Sequence, residues 1–280
     1  MARRDSTNML LQQIGIHAIL LLYTLIAIFP IFLVIINSVK SRRAIFGAPL
    51  ELPNAVNWDT VGYETVFKRA SFDQYFVNSF IVTIGTLILI LVAGTMAAHA
   101  LAEYRFRGNT LMGLYLAIGI MIPIRLGTVS ILQLVVNLRL VDTLTALVLV
   151  YTAQGLPLAV FVLSQFMRQV PRELKDAARV DGASEYRIYW MILPLIRPAL
   201  GTVLAINMIP IWNDLWFPLI LAPSEKTKTV TLGAQQFLGQ FVNDWNAVLA
   251  SLTLATLPVV VLYILFSRQL IRGLTAGAVK

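Results

Sequence analysis

The chain has 280 residues, of which 58% are hydrophobic and only 13% are charged. Soluble domains average about 45–50% apolar and about 25% charged residues, so this composition indicates an integral membrane protein. The formal net charge is +8, which basic loops at a membrane surface explain without nucleic-acid binding. The sequence has no cysteine and two histidines. This excludes disulfides, thiolate metal sites, cysteine nucleophiles and a histidine-rich metal site.

Six apolar segments are each long enough to cross about 30 Å of hydrocarbon as a helix. The first has the position of a signal peptide, but its apolar run is too long and no small-residue cleavage site follows it, so we interpret it as a retained transmembrane helix. The predicted spans are 14–37, 75–101, 110–136, 144–165, 199–221 and 247–270. The sequence therefore predicts an all-α integral membrane protein with one transmembrane domain, 1–280.

Several spans contain residues that interrupt a helix or are costly in hydrocarbon. Pro123 interrupts the third span, which also carries Arg125, and Gly155 with Pro157 predicts a kink in the fourth. An arginine at membrane depth is costly unless it is paired or lies in a watery cavity. Two interpretations stay open: Arg125 pairs with Asp214 of the fifth span, or it contacts an anionic or strongly polar ligand.

A charged segment, 166–198, separates the fourth and fifth spans. Leu174, Ala177 and Ala178 share one face at helical spacing, and the two alanines leave a narrow surface that fits a groove on another protein. Gly182 then tolerates the positive φ that ends a helix. The segment is predicted to form a helix–turn–helix on the membrane surface. Six spans put both termini on one side, and the excess of Lys and Arg places that side, with this segment, in the cytoplasm.

This segment resembles the E-A-A loop of permease subunits in ABC importers. The resemblance is carried by Asp176-Ala177-Ala178, Asp181-Gly182-Ala183 and Ile192-Leu193-Pro194, with Asp176 where the family usually has Glu. In that family the loop is the coupling helix, which sits in a cleft of the ATPase subunit. The coupling residues that the resemblance implies are Asp176, Ala177, Ala178, Asp181, Gly182 and Ala183.

The likeness extends over nearly the whole chain. The stretch from Trp212 to Leu219 and the tail 272–280 are similar to the carbohydrate-importer branch, and within it to the maltose-type second permease. The resemblance implies a type I ABC importer permease fold in the bacterial inner membrane. It also implies a heterodimer with a sister permease, two ATPase subunits that bind ATP and Mg, and an extracytoplasmic sugar-binding protein, which the loop 224–246 would reach. No cofactor is expected in this chain itself.

A sugar path requires amides and acids that pair with hydroxyl groups, beside aromatic rings that pack on the sugar face. The candidate substrate-path residues are Arg125, Trp212, Asn213, Asp214 and Trp216. Asn213 and Asp214 equally fit a second role, in which they tie helices together by interhelical hydrogen bonds.

The sequence contains no G-x-x-x-x-G-K-[ST] phosphate loop and no G-x-S-x-G or H-E-x-x-H motif, so we do not expect an enzyme. Energy must come from a partner ATPase or from an ion gradient. A gradient-coupled carrier would need acidic or histidine relays at mid-membrane, where only Asp214 clearly qualifies, and inverted repeats, of which none is visible. The sequence therefore predicts the permease subunit of an ATP-driven sugar importer, with an ion-gradient carrier as the main alternative and a membrane enzyme as a further one.

Overall fold

The computed structural model describes residues 2–69, 71–238 and 243–276. Within these ranges the chain is helical and forms no β-strand beyond two isolated bridges. The helices are α1 (Ala2–Ser38), α2 (Arg42–Gly47), α3 (Val61–Arg69), α4 (Phe72–Glu103), α5 (Asn109–Met121), α6 (Thr128–Asn137), α7 (Leu144–Gln169), α8 (Arg172–Val180), α9 (Glu185–Leu195), α10 (Arg197–Asn213), α11 (Trp216–Leu221), α12 (Val230–Gln235) and α13 (Trp245–Ala276).

Three helices in the described residues are long and apolar enough to cross a membrane: α4, α7 and the segment Gln12–Ser38 of α1. Two bent pairs bring the number to as many as five if each pair is one span. The pairs are α5 with Ile124–Asn137, bent by 86°, and α9 with α10, bent by 73°. The sixth predicted span, 247–270, lies within the single helix α13. The all-α membrane architecture predicted from the sequence is thereby confirmed.

A proline lies at each of the two bends. Pro123 precedes a short 3₁₀ turn, Ile124–Gly127, which carries Arg125 between α5 and α6. Pro198 lies in the first turn of α10, directly after the break at Ile196. Proline has no N–H to donate, so it fits the first turn of a helix and disrupts an interior. The interruption of the third span that the sequence predicts at Pro123 is confirmed.

Two helices begin elsewhere than the sequence suggests. α1 begins at Ala2, so the polar residues before the first predicted span already belong to the helix. The sequence of residues 58–63, in the polar segment after the first span, is compatible with a short helix on the membrane surface. The helix observed there, α3, begins at Val61, whose N–H donates to the Asp59 carboxylate (2.8 Å). A carboxylate at that position satisfies a backbone donor that has no partner inside the helix, which sets the later start.

One compact unit comprises 71–233 with 256–280. Its core lies among α4, α7, α9 and α10 and includes the buried residues Ile90, Leu163 and Ile188. Gly155 sits at the closest approach: a Cβ there would lie 2.3 Å from Asn207 Oδ1 and 2.4 Å from Ile90 Cδ1. A larger residue would have to displace both side-chain ends, so Gly155 has a packing role at this crossing.

The other compact unit comprises 1–70 with 234–255. Lys40 is completely buried in it and donates to Ala48 O (3.1 Å) and Asn37 Oδ1 (3.2 Å). Burial lowers the pKa of the Lys40 ammonium, because the charged form loses its hydration. A Cβ on Gly62 would lie 2.3 Å from Asn246 O, so α3 crosses the start of α13 at backbone contact distance.

Candidate functional site

A cavity of about 410 Å³ opens between α7, α10 and the 3₁₀ turn. Its polar lining residues are Arg125, Tyr151, Gln154, Asn207, Asn213 and Asp214. Three of the five predicted substrate-path residues therefore meet at one cavity. They come from segments far apart in the chain: Arg125 lies in the turn after Pro123, and Asp214 lies between α10 and α11.

Asp214 is the centre of a hydrogen-bond cluster at this cavity. Its Oδ1 accepts from Arg125 Nη2 (3.1 Å), and its Oδ2 accepts from the Tyr151 hydroxyl (2.8 Å) and from Phe217 N (3.0 Å). The pairing of Arg125 with Asp214, one of the two interpretations open from the sequence, is thus present in the structure. The Asp214 side chain is 9% exposed and the Arg125 side chain 65% exposed. Arg125 consequently compensates the acid while keeping donors free to reach the cavity.

The two predicted tryptophans lie outside the cavity lining. Trp212 is 2% exposed and packs edge-on against Phe80, with ring centroids 5.0 Å apart. Trp216 is 43% exposed, and its Nε1 donates to Thr128 Oγ1 (3.0 Å). The Thr128 hydroxyl in turn donates to Arg125 O (2.6 Å), so Trp216 holds the turn that carries Arg125. Neither ring therefore lines this cavity: Trp212 is a core residue, and Trp216 supports the turn that carries Arg125.

Three polar residues of the cavity lining were not among the predicted substrate-path residues: Tyr151, Gln154 and Asn207. Tyr151 and Gln154 are three residues apart on α7, a spacing that puts them on one face. Two polar residues at this spacing in an apolar helix indicate a polar stripe, which could have predicted that this face of α7 lines a cavity. Asn207 Nδ2 donates to Val203 O (2.9 Å), while its Oδ1 lies against Gly155. Its place at the cavity depends on the tertiary crossing of α7 and α10, which no local pattern shows.

The predicted helix–turn–helix is present as α8, a turn and α9. Gly182 has φ +76°, the left-handed conformation that favours glycine. Its N–H donates to Arg179 O (3.0 Å), and Ala183 N donates to Ala178 O (2.9 Å). The Ser184 hydroxyl then accepts from Arg187 N and caps α9. These local hydrogen bonds define the turn between α8 and α9.

The predicted coupling residues divide between two faces of this motif. Ala177 is exposed, beside Leu174 and Val180, which are 48% and 87% exposed. Ala178 and Ala183 are partly buried against the core of their own chain. Asp176, Asp181 and Gly182 are exposed. The outward apolar surface of α8 is accordingly Leu174, Ala177 and Val180, which we call the α8 outer face.

An ion-pair cluster fixes α8 to the end of α4. Glu103 accepts from Lys175 Nζ (2.6 Å) and from Arg179 Nη2 (2.7 Å). Arg179 also pairs with Asp176 (2.9 Å) and Glu185 (2.9 Å), so Asp176 is bound within its own chain. Lys175 and Glu103 are 5% and 11% exposed, which makes this pair largely desolvated. The sequence did not predict Glu103, since it lies 72 residues before Lys175.

The chain is similar to a described protein family and to several sugar-transport proteins. Residues 9–276 match the family described as binding-protein-dependent transport system inner membrane component. The chain is 34% identical to the arabinooligosaccharides transport system permease protein AraQ of Halalkalibacterium halodurans, over 91% of this chain and 92% of that protein. It is 31% identical to the melibiose/raffinose/stachyose import permease protein MelC of Bacillus subtilis, over 90% and 91%.

Similarity to solved structures concerns the fold. A chain of a bacterial ABC transporter involved in import of the acidic polysaccharide alginate superposes with a TM-score of 0.77 at 22% identity, covering 90% of this chain and 94% of that one. A chain of the MetNI methionine ABC transporter superposes with a TM-score of 0.55 at 15% identity. The chain thus has the type I ABC importer permease fold, and it belongs to the family of binding-protein-dependent transport system inner membrane components.

Proposed function

We propose that this chain is one permease subunit of an ATP-driven importer, and that it forms half of the path for a sugar or sugar oligomer. Family membership supports the importer role, and the names of the relatives AraQ and MelC support the substrate class. The observation that carries the proposal is the cavity beside Asp214, where amide, hydroxyl and paired ionic groups converge between two broken helices.

The chemistry of this cavity fits an uncharged polyhydroxylated solute. Arg125 and Asp214 cancel each other's charge, while Gln154 and Asn213 add amide groups at the same wall. Amides both donate and accept, so they match sugar hydroxyls, which do the same. The free N–H groups of Arg125 extend that donor set. A solute without net charge leaves the Arg125–Asp214 pair intact, and we therefore favour neutral over anionic sugars for this half of the path.

The energy for transport is assigned to partner subunits. The sequence holds no phosphate loop, so ATP and Mg are expected on two ATPase subunits. The α8 outer face is apolar and exposed, which suits a groove on such a subunit. A sister permease would complete the path, and an extracytoplasmic binding protein would deliver the sugar. We place the assembly in a bacterial inner membrane with both termini of this chain in the cytoplasm.

The ion-gradient alternative would use Asp214 as a proton or sodium relay. Asp214 already accepts from Arg125, Tyr151 and Phe217 N, and this arrangement suits a fixed carboxylate better than one that binds and releases a cation in each cycle. Together with the family assignment, this geometry favours ATP-driven import.

The proposal is tested by isolating the tagged chain from its native membrane in mild detergent. We expect a second permease and a nucleotide-binding subunit to co-purify, with ATP hydrolysis that rises when sugar-loaded binding protein is added. Repeating the isolation with Val180→Glu, which puts a charge on the α8 outer face, should lose the nucleotide-binding subunit and keep the sister permease. A chain that purifies without either partner and still carries sugar would overturn the proposal.

A further inference from the structure

A second cavity has a volume of about 860 Å³. It lies between the end of α4, the start of α5, the end of α7 and the helix α8. Arg105, Arg168 and Arg172 line it, are exposed, and make no ion pair with any carboxylate in the described part of the chain. Lys175 and Arg179 line it too, but Glu103 and Asp176 compensate them. The cavity therefore carries an uncompensated positive charge from three arginines whose guanidinium groups can bind an anion bidentately.

An apolar groove of about 300 Å³ continues from this cavity between α5 and α7. The two spaces share Leu101, Asn109, Thr110 and Arg168 as lining residues. Beyond them the groove is lined by the apolar residues Gly113, Leu116, Ala117, Val160 and Phe161 and by the polar residues Ser164 and Gln165. Nothing lies within 4 Å of the position that a Cβ on Gly113 would take, so the small residue leaves the groove open. The basic cavity thus continues into a mainly apolar groove along α5 and α7.

We propose that the cavity and the groove form one binding site for an anionic phospholipid. The phosphodiester lies among Arg105, Arg168 and Arg172, and an acyl chain lies along the groove between α5 and α7. Basic pockets between transmembrane helices are suited to anionic lipid head groups, because the charge sits at the depth of the phosphates. The groove that joins the cavity favours a lipid over free phosphate, because free phosphate has no acyl chain to occupy the groove.

The site uses a different face of α8 from the one proposed for the ATPase. Arg172, Lys175, Asp176 and Arg179 recur at helical spacing and line the cavity, whereas Leu174, Ala177 and Val180 form the α8 outer face. Lipid binding and partner docking are therefore separable by mutation. The inference concerns this chain alone and does not depend on the identity of the transported solute.

The test is native mass spectrometry of the full-length chain in detergent, titrated with dioleoyl phosphatidylglycerol, dioleoyl phosphatidylcholine or inorganic phosphate. We expect phosphatidylglycerol to bind about tenfold more tightly than phosphatidylcholine. The triple variant Arg105→Gln, Arg168→Gln, Arg172→Gln should lose that preference. Gly113→Phe, which fills the groove, should weaken both lipids. A matched variant with Arg107→Gln, Arg187→Gln and Arg197→Gln removes the same charge outside the cavity and should bind as the parent does.

The outcomes distinguish a lipid site from general surface charge and from a free-anion site. Equal loss in the two triple variants would show general surface charge and overturn the proposal. Displacement of the lipid by phosphate, with no effect of Gly113→Phe, would indicate a free-anion site and overturn it as well. So would a cavity variant that keeps the lipid preference but loses the co-purifying nucleotide-binding subunit. The single change Arg105→Gln, in a loop outside the helices, should still cost about threefold if the triple variant does not fold.

Discussion

Individual side chains at the transmembrane cavity have separable roles. Asp214 is held by three donors from three segments, and Arg125 is the only charged one. Trp216 donates a hydrogen bond to Thr128, and Thr128 donates one to the backbone of Arg125, so Trp216 supports the turn indirectly. The cavity therefore has an inner carboxylate fixed by the fold and an outer guanidinium with free donors.

The first prediction concerns Arg125→Ala. The change leaves Asp214 with two neutral donors and no counter-charge. Because Arg125 is 65% exposed, solvent screens part of the loss, and we expect a cost of about 1 kcal/mol in unfolding free energy. Thermal unfolding in detergent measures it, and the double change with Asp214→Asn should recover most of the loss. Wild-type stability together with wild-type transport kinetics in Arg125→Ala would show that the pair has neither role.

The second prediction is a pH dependence at Glu225. Lys228 and the Tyr75 hydroxyl donate to its carboxylate and hold the pKa of Glu225 below its usual value. Its stabilising effect is thus complete above the unfolded pKa of about 4.3 and is lost as the pH falls through the lower folded pKa. Hydrogen exchange at amides 226–230 should accelerate in that acidic range beyond the intrinsic rate. Glu225→Gln should show less protection at neutral pH and no such step; a step that persists in this variant contradicts the assignment.

At the scale of elements, α8 is a helix with two unlike faces. One is tied to the end of α4 through Glu103, and the other exposes Leu174, Ala177 and Val180. Because the ion pairs with Glu103 are largely buried, removing Glu103 would leave Lys175 buried without a counter-charge. These ion pairs hold α8 against the end of α4, which suits the docking to a partner subunit that we propose.

The third prediction contrasts two neighbouring alanines. Ala178→Leu should overpack the core of its own chain and lower stability by about 1–3 kcal/mol, since Ala178 packs inward. Ala177→Leu adds the same atoms on the exposed side, so it should leave the melting temperature unchanged and weaken association with the nucleotide-binding subunit. Thermal unfolding and co-purification of both variants separate the effects. The reverse assignment of the two effects would show that α8 presents the other face.

The fourth prediction concerns the turn. Gly182 has φ +76°, and nothing lies within 4 Å of the position that a Cβ would take, so a substitution there meets backbone strain and no clash. Gly182→Val should therefore cost on the order of 1 kcal/mol or more, and Gly182→Asn clearly less, because asparagine tolerates the left-handed region. Equal melting temperatures of the two variants in detergent would contradict a strain limited to the backbone.

Structural features that depend on the backbone chemistry of a single residue could be predicted from the sequence. The break at Pro123 and the left-handed turn at Gly182 follow from the chemistry of one residue each. Contacts between distant segments could not be predicted: Glu103 meets Lys175 across 72 residues. Trp212 is buried in the core, whereas Trp216 is partly exposed and bonded to Thr128. This difference depends on how α10 and α11 pack, which the aromatic motif that the two residues share does not reveal.

For the whole molecule, the composition and the family-specific loop were sufficient to predict an all-α permease, and the fold agrees with that prediction. The predicted coupling residues and the predicted substrate-path residues all lie in the unit of 71–233 with 256–280. The predicted tail motif extends to 277–280, which lie outside the described residues, and part of the 224–246 loop, 239–242, does so too.

The central claim, sugar import driven by ATP through this chain, is tested most directly by uptake of labelled oligosaccharide into proteoliposomes. The vesicles contain either the complex isolated through the tagged chain or the chain alone, with binding protein outside and ATP inside. We expect uptake only with the complex and ATP, and none with the chain alone under an imposed proton or sodium gradient. Gradient-driven uptake by the chain alone would contradict the account.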